Sequence, residues 1–361
     1  MSIKLKPLKE QVVVITGASS GIGLATAREA AKRGAKLVLA SRNKSVLDRI
    51  CGELTTAGAI AVAVECDVAD PQAVQQVADR ALREFGRIDS WINSAGVSVY
   101  GKSWEVPLEE KRRLFETNFW GVVYGCRSAL KAMRESGGAI INIGSVLSER
   151  AIPLQGMYGA SKHAVKAYTD SLRMELEAES IPVSVTLIKP AAINTPYTEH
   201  AVNHMQHHPA HTAPVYEPEV VANAILECCV HAKRDVFVGG SAKMFQLMET
   251  FMPRLTDLIM ERMMMEDKQS NARLDEVGQH PGLFRTPRKG GEAHGVQSEL
   301  HRVKKSSVAT SAVLHPIATG LIVTGLGLAA AAGIGYFGTS KSPGRLGRKS
   351  GKTSYDDVVR H

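Results

Sequence analysis

Short apolar runs alternate with longer amphipathic stretches through the first two thirds of the chain. The runs are Val12–Ile15, Lys36–Ala40, Ala61–Cys66, Ser90–Asn93, Ala139–Ile143, Val183–Ile188 and Val236–Val238. Each is too short for a helix, close to continuously apolar, and followed by residues with helical spacing. Strands of that kind are buried on both faces, which a parallel sheet covered by helices on each side provides. The pattern therefore predicts an α/β fold with a doubly wound parallel sheet. In such sheets ligands gather beyond the carboxyl ends of the strands, where Gly17, Asn93 and Ser145 all fall.

After residue 240 the pattern changes. Phe245, Met248, Met252, Leu255, Ile259 and Met263 recur at helical spacing across Pro253, so 241–268 reads as a helical extension with an apolar packing face. Residues 269–310 lose periodicity and collect Gly, Pro, His and cations (Arg273, Arg285, Arg288, Lys289, Arg302, Lys304, Lys305), the composition of a flexible basic linker. Ile317 to Phe337 then holds no charged residue. As a helix it would span about 31 Å, enough for the ~30 Å hydrocarbon core, and 311–337 is expected to cross a membrane once. Gly325, Ala329 and Gly333 would give it a small-residue face. A basic tail, 338–361, follows. Cations on both sides leave orientation undecided by the charge rule, and the catalytic part is expected on the cytoplasmic side.

Composition refines this picture. The chain has 361 residues, 44% of them hydrophobic, and a net charge of +8. That is ample for one doubly wound domain plus extra segments. The excess cations flank an apolar span without interleaved aromatics, so membrane lipid headgroups are the expected partner and nucleic acid is not. Five cysteines, two of them adjacent, form no disulfide framework and suit a reducing compartment. Met1 to Glu10 is short and polar, so no secretory leader is expected there.

Two clusters carry candidate chemistry. Thr16-Gly17-Ala18-Ser19-Ser20-Gly21-Ile22-Gly23 links the first strand to a helical pattern. A buried strand, a glycine turn and a helix N-terminus form an anion site in which backbone N–H groups face a pyrophosphate. Farther on, Tyr158 and Lys162 stand four residues apart, so both share one helix face, and Ser145 precedes them. A free tyrosine titrates near ~10. An ammonium about 4 Å away, at an effective dielectric near ~20, favours the phenolate by roughly 4 kcal/mol, or about three pKa units. The expectation is a tyrosine acidic enough for proton transfer.

Together these residues resemble the classical short-chain dehydrogenase/reductase family, from about Lys6 to Gly240. Asn93-Ser94-Ala95-Gly96 is similar to the family's Asn-Asn-Ala-Gly element, with Ser94 a mild departure; Pro190-Ala191 stands where Pro-Gly is common. The resemblance implies a Rossmann-type sheet in the order 3-2-1-4-5-6-7 and a catalytic tetrad of Asn118, Ser145, Tyr158 and Lys162. It also implies a nicotinamide dinucleotide held by Gly17, Ser19, Ser20, Gly21, Ile22, Gly23, Ser41, Arg42, Asp67, Val68, Asn93, Ala95, Gly96, Tyr158, Lys162 and Pro190. NADP is expected rather than NAD, because Leu37 to Lys44 supplies Ser41 and Arg42 but no carboxylate for a ribose 2′-hydroxyl. Hydride transfer between a carbonyl and a secondary alcohol follows, with Ser145 as oxyanion donor, Tyr158 as acid/base and Asn118 holding a proton-relaying water. Homo-oligomers are usual in such families. Two alternatives remain: a dinucleotide-binding regulatory protein without turnover, and an epimerase or dehydratase of the extended branch.

The segment from Pro190 to about Glu217 is the expected substrate lid. His200, His204, His207, His208 and His211 have spacings that would align most of them on a helix. Pro209 interrupts that helix, and no cysteine or carboxylate completes a ligand set, so no metal is expected. Val97, Val99, Trp104, Ile152, Pro153 and Met157 are the expected apolar pocket wall. They would suit a lipid-derived, steroid-like or xenobiotic ketone.

Overall fold

The computed structural model describes residues 3–209, 211, 213–240, 251–265, 269–273, 282–287, 290–296, 302–315 and 319. In chain order the first half builds β1 (Val12–Thr16), α1 (Gly21–Lys32), β2 (Lys36–Ser41), α2 (Lys44–Thr56), β3 (Ile60–Glu65), α3 (Pro71–Phe85), β4 (Ser90–Asn93), β5 (Val99–Tyr100), α4 (Leu108–Phe115) and α5 (Gly121–Met133). The second half adds β6 (Gly138–Ile143), α6 (Gly156–Ala178), β7 (Val183–Pro190), α7 (Tyr197–His200), β8 (Val202–Asn203), β9 (His207–Pro209), α8 (Pro218–Cys228) and β10 (Asp235–Val238). Beyond the sheet come α9 (Pro253–Met265), β11 (Gln269–Arg273) and α10 (Val308–Leu314).

Seven strands form one sheet in the order β3-β2-β1-β4-β6-β7-β10. Every neighbouring pair is parallel. Counting only these strands, this is the expected order 3-2-1-4-5-6-7, and each expected strand lies within a residue or two of its observed bounds. The two faces follow from strand periodicity. Val13, Ile15, Leu37 and Leu39 pack on α1, α2 and α8 through Leu24, Leu47 and Ile225. Their neighbours Val14, Val38, Trp91 and Ile140 pack on α3, α5 and α6 through Val77, Val122 and Val165. All carboxyl ends consequently meet at one edge of the sheet.

A buried polar chain crosses the second face. Trp91 Nε1 donates to Asn93 Oδ1 at 2.8 Å, Asn93 Nδ2 to Asn142 Oδ1 at 2.9 Å, and Asn142 Nδ2 to Thr169 Oγ1 at 3.0 Å. It ties β4 to β6 and to α6, with every side chain satisfied by its neighbour. The five cysteines are free and buried. Burial pushes Cys51 up to about 11 and Cys66, Cys126 and Cys229 up to about 12, so none of these four is a thiolate near neutral pH.

The histidine-rich lid differs from the helix its spacing suggests. Only Tyr197–His200 is helical. The chain then runs extended as β8, parallel to β5, and as β9, antiparallel to β11. Of the five histidines only His200 lies in that helix, so their spacing does not place them on one helix face. His204 instead pairs with Glu110 at 2.7 Å.

Residues up to Leu314 form one compact unit. Described parts of the segment read as a linker, 282–287 and 290–296, carry hydrogen bonds to the dinucleotide-loop side of that unit. The apolar stretch 317–337, apart from Thr319, and the tail 338–361 lie outside the described residues. Among those described, no helix is long and apolar enough to cross a membrane.

Candidate active site

β1 delivers the chain into a turn that only glycine fits. Gly17 has φ +68°, and a Cβ there would lie 2.7 Å from Ala95 Cα; one on Gly23 would meet the Gly17 carbonyl oxygen at 2.3 Å. Thr16 Oγ1 accepts from the N–H of Ser94 at 3.2 Å, joining this turn to the Ser94–Gly96 element. α1 starts at Gly21 behind Ser20, whose side chain makes no cap bond. The result is a cradle of backbone N–H groups at a helix N-terminus, stripped of Cβ atoms where a pyrophosphate would lie. It fits a dinucleotide through its remaining N–H groups, that of Gly21 being donated to the Glu292 carbonyl at 3.0 Å.

The cradle opens into a cavity of about 390 Å³ that reaches Ser145, Tyr158 and Lys162. Every dinucleotide residue expected from the sequence lines this cavity except Asn93, whose carboxamide is spent in the polar chain of the core. Ser145 stands two residues beyond β6 and caps a short 3-10 turn, Val146–Ser148, where its Oγ accepts from Leu147 N at 3.1 Å. Tyr158 and Lys162 occupy the first turns of α6. Lys162 is buried; its Nζ donates to the Ile143 carbonyl at 2.8 Å and lies 5.7 Å from the centre of the Tyr158 ring.

Asn118 sits in a π-helical turn, Glu116–Trp120, between α4 and α5. Such turns recur at functional sites. Its Oδ1 accepts from Val97 N at 2.8 Å, and its Nδ2 donates to the Val97 carbonyl at 3.0 Å and to Ser161 Oγ at 3.2 Å. It does not line the cavity. Gly96 separates it from Lys162: a Cβ there would meet Asn118 Oδ1 at 3.6 Å and Lys162 Nζ at 3.9 Å.

Electrostatics in the site run against the simple expectation for the tyrosine. Burial raises the Tyr158 pKa, and hydrogen bonds from Tyr197 and Ser145 pull the other way without overcoming it. The ammonium lies 5.7 Å from the ring centre and is held by the Ile143 carbonyl, and the net shift of the tyrosine is upward, not the roughly three-unit depression expected. Burial also pulls Lys162 down to about 8. Tyr197 was not singled out by the sequence. Its ring meets that of Tyr158 edge-on, 5.5 Å between centres, and Gln155 Nε2 donates to its hydroxyl at 3.0 Å.

At the end of the cavity near β2, Asp67 pairs with Arg113, a residue the sequence did not flag. Arg42 donates to the carbonyls of Leu283, at 3.0 Å, and Gly282. On the substrate side, Val97, Ile152 and Pro153 line the cavity as expected, whereas Val99, Trp104 and Met157 do not. Trp104 is 78% exposed. Leu154, Met205, Met260 and Met264 take their place, the last two from the methionine-rich α9. Among the described residues, the one His/Glu group with metal-like spacing is Glu217, Glu219 and His294, which includes none of the lid histidines.

A family model for short chain dehydrogenases matches residues 11–206. The chain belongs to the short-chain dehydrogenase/reductase family. It is 42% identical over 327 residues to a Bacillus subtilis protein described as an uncharacterized oxidoreductase, YxnA, covering 90% of this chain and 91% of that one. A short-chain dehydrogenase/reductase from Burkholderia phymatum, solved in complex with NAD, superposes with a TM-score of 0.64 at 28% identity, over 70% of this chain and 96% of its own. An alcohol dehydrogenase from Thermococcus sibiricus, complexed with 5-hydroxy-NADP, gives 0.56 at 26% identity, over 63% and 95%. The protein is thus an oxidoreductase of this family, and its relatives bind either nucleotide.

Lys162 yields a stability prediction for this oxidoreductase. Its pKa falls from 10.5 to about 8 on folding, so between those values the unfolded chain binds more protons. The lysine's burial penalty is therefore fully present below pH 8 and is relieved as pH rises toward 10.5. Relative to Lys162→Met, the wild type should gain about 3 kcal/mol across that window. Urea unfolding of both proteins at several pH values checks this; a pH-independent difference would mean the lysine is not desolvated.

Proposed function

We propose that the protein is an NADP-dependent oxidoreductase that interconverts a carbonyl and a secondary alcohol on an apolar substrate. One observation carries the reading: Tyr158 lines a single cavity together with Ser145, Tyr197 and the glycine cradle. The bound dinucleotide supplies or accepts the hydride at the substrate carbon.

The remaining chemistry belongs to the protein. Ser145 donates to the substrate oxygen as negative charge grows there. Tyr158 gives that oxygen its proton in reduction and takes the alcohol's proton in oxidation. Tyr197, packed edge-on against Tyr158, favours the anion that Tyr158 becomes. Lys162 spreads positive charge along the ring face and holds α6 to the end of β6 through the Ile143 carbonyl. Asn118 fixes the backbone of Val97 beside the lysine, a positioning role that stands alongside the water-holding one its motif implies.

Support for NADP comes from the end of β2. Ser41 and Arg42 border the cavity, the stretch Leu37 to Lys44 supplies no carboxylate, and the Asn43 side chain is engaged as the cap of α2. Two backbone carbonyls occupy part of the Arg42 fork, and its further N–H donors suit a 2′-phosphate. Burial pulls the Arg42 guanidinium below its ordinary range, as befits a cation enclosed at a binding site. Leu154, Met205, Met260 and Met264 favour an apolar ketone of medium or large size.

Three outcomes are expected. Tyr158→Phe should lower NADPH oxidation with a ketone panel by about 10²–10⁴-fold while fluorescence titration still detects NADPH binding; full activity in the variant removes the mechanism. Arg42→Asp should swing the NADP/NAD ratio of kcat/KM toward NAD by about tenfold or more, and an unchanged ratio removes Arg42 from cofactor choice. The tether reading rests on the sequence of 317–337 alone. Ending the chain before Ile317 should move the protein from the membrane to the soluble fraction; retention in the membrane refutes it.

A further inference from the structure

We infer that residues 282–287 and 290–296 form a strap that clasps the dinucleotide in its crevice and limits its release. This rests on the reading that the crevice binds a dinucleotide. The strap is stitched to both banks. On the phosphate-loop side, the N–H of Gly291 donates to the Ser19 carbonyl at 2.8 Å, and the N–H of Gly21 donates to the Glu292 carbonyl at 3.0 Å. Near the adenosine end, the Leu283 carbonyl accepts from both Arg42, at 3.0 Å, and Arg113, at 3.1 Å. On the lid side, Gly282 N donates to the His200 carbonyl at 3.1 Å and Gly295 N to the Asn194 carbonyl at 3.4 Å. His294 Nε2 adds a contact to Glu219 Oε2 at 3.1 Å.

Two apolar side chains seat it. Leu283 is fully buried with Val99, Val106 and Leu114, in the cluster that also borders Tyr158. Ala293 is 2% exposed against the core of the sheet. Neither enters the crevice as a plug. Gly282, Thr286 and Pro287 instead form part of its wall, and about 390 Å³ stays open beneath them, bordered by the glycine cradle, Asp67 and Tyr158. A segment that roofs an open site and grips both rims must lift before a molecule of dinucleotide size can pass. Arg42 and Arg113 are therefore latch residues as well as neighbours of the adenosine pocket, and Leu283 connects the latch to the packing behind the catalytic tyrosine.

Glycine at the contact points offers a clean wedge. A Cβ on Gly295 would lie 2.4 Å from the Thr195 carbonyl oxygen, and one on Gly282 would lie 2.7 Å from that of His200. In the full-length protein, Gly295→Val and Gly282→Val should each speed NADPH release at least tenfold, read by stopped-flow fluorescence with excess NADP as displacer, and weaken equilibrium binding. Release at the wild-type rate from a folded variant overturns the proposal. So does tighter binding, which would make the strap a competitor rather than a clasp. Should neither variant fold, trypsin cleavage after Arg285 in the wild type decides: protection by NADPH is expected, and enhanced or unchanged cutting overturns the clasp. Absence of any dinucleotide binding by the wild type, NAD included, would instead sink the functional reading on which the strap depends.

Discussion

Lys162 donates to the carbonyl of Ile143 while its ammonium lies over the ring of Tyr158, and the arrangement of the site follows from that bond. Ile143 is the last residue of β6, two positions before Ser145. Pinning the second turn of α6 to that strand end sets Tyr158 opposite Ser145, while the glycine cradle is brought alongside by the β1–β4–β6 pairing. The bond carries an electrostatic cost. Burial disfavours the charged forms of both partners, lowering the lysine and raising the tyrosine. Hydrogen bonds to the phenolic oxygen from Ser145 and Tyr197, more than the lysine alone, are what oppose that cost in the tyrosine.

Much of this was legible in the residues because it is local. The seven strands are short apolar runs punctuated by glycine, and the cradle is contiguous in sequence. Tyr158 and Lys162 declare their shared face through helix periodicity. What stayed hidden depends on tertiary approach. Tyr197 is one residue in a lid whose histidines were more conspicuous, and nothing in its neighbours announces that the chain after β7 folds back onto α6. Arg113 reaches Asp67 from α4, and Asn93 is drawn into the core by Trp91 and Asn142. The lid histidines show the converse error: spacing alone suggested a helix, and pairing with β5 and β11 drew the backbone into strands.

The C-terminal third changes how the crevice is understood. Its composition suggested a linker, yet Leu283 and Ala293 are buried as deeply as sheet residues, and strap carbonyls satisfy two arginines at the adenosine end. Glycine-rich, polar chain of this kind carries little hydrophobic signal, because its anchoring is through backbone groups and a few small side chains. Met260 and Met264 likewise turn a methionine stripe into cavity wall. The site is thus closed by parts of the chain that lie beyond the family's shared region, and the B. subtilis relative, matched over 90% of this chain, offers a natural comparison.

The central claim is that one cavity holds a nicotinamide dinucleotide with its reactive ring against Tyr158. A crystal structure of the protein with NADP tests it most directly. The account predicts the pyrophosphate on the Gly17–Gly23 cradle and the nicotinamide C4 within about 4 Å of the place where a substrate carbon bonded through its oxygen to Tyr158 would sit. A dinucleotide seated elsewhere, or a Tyr158 hydroxyl turned out of the cavity when it is bound, would contradict it.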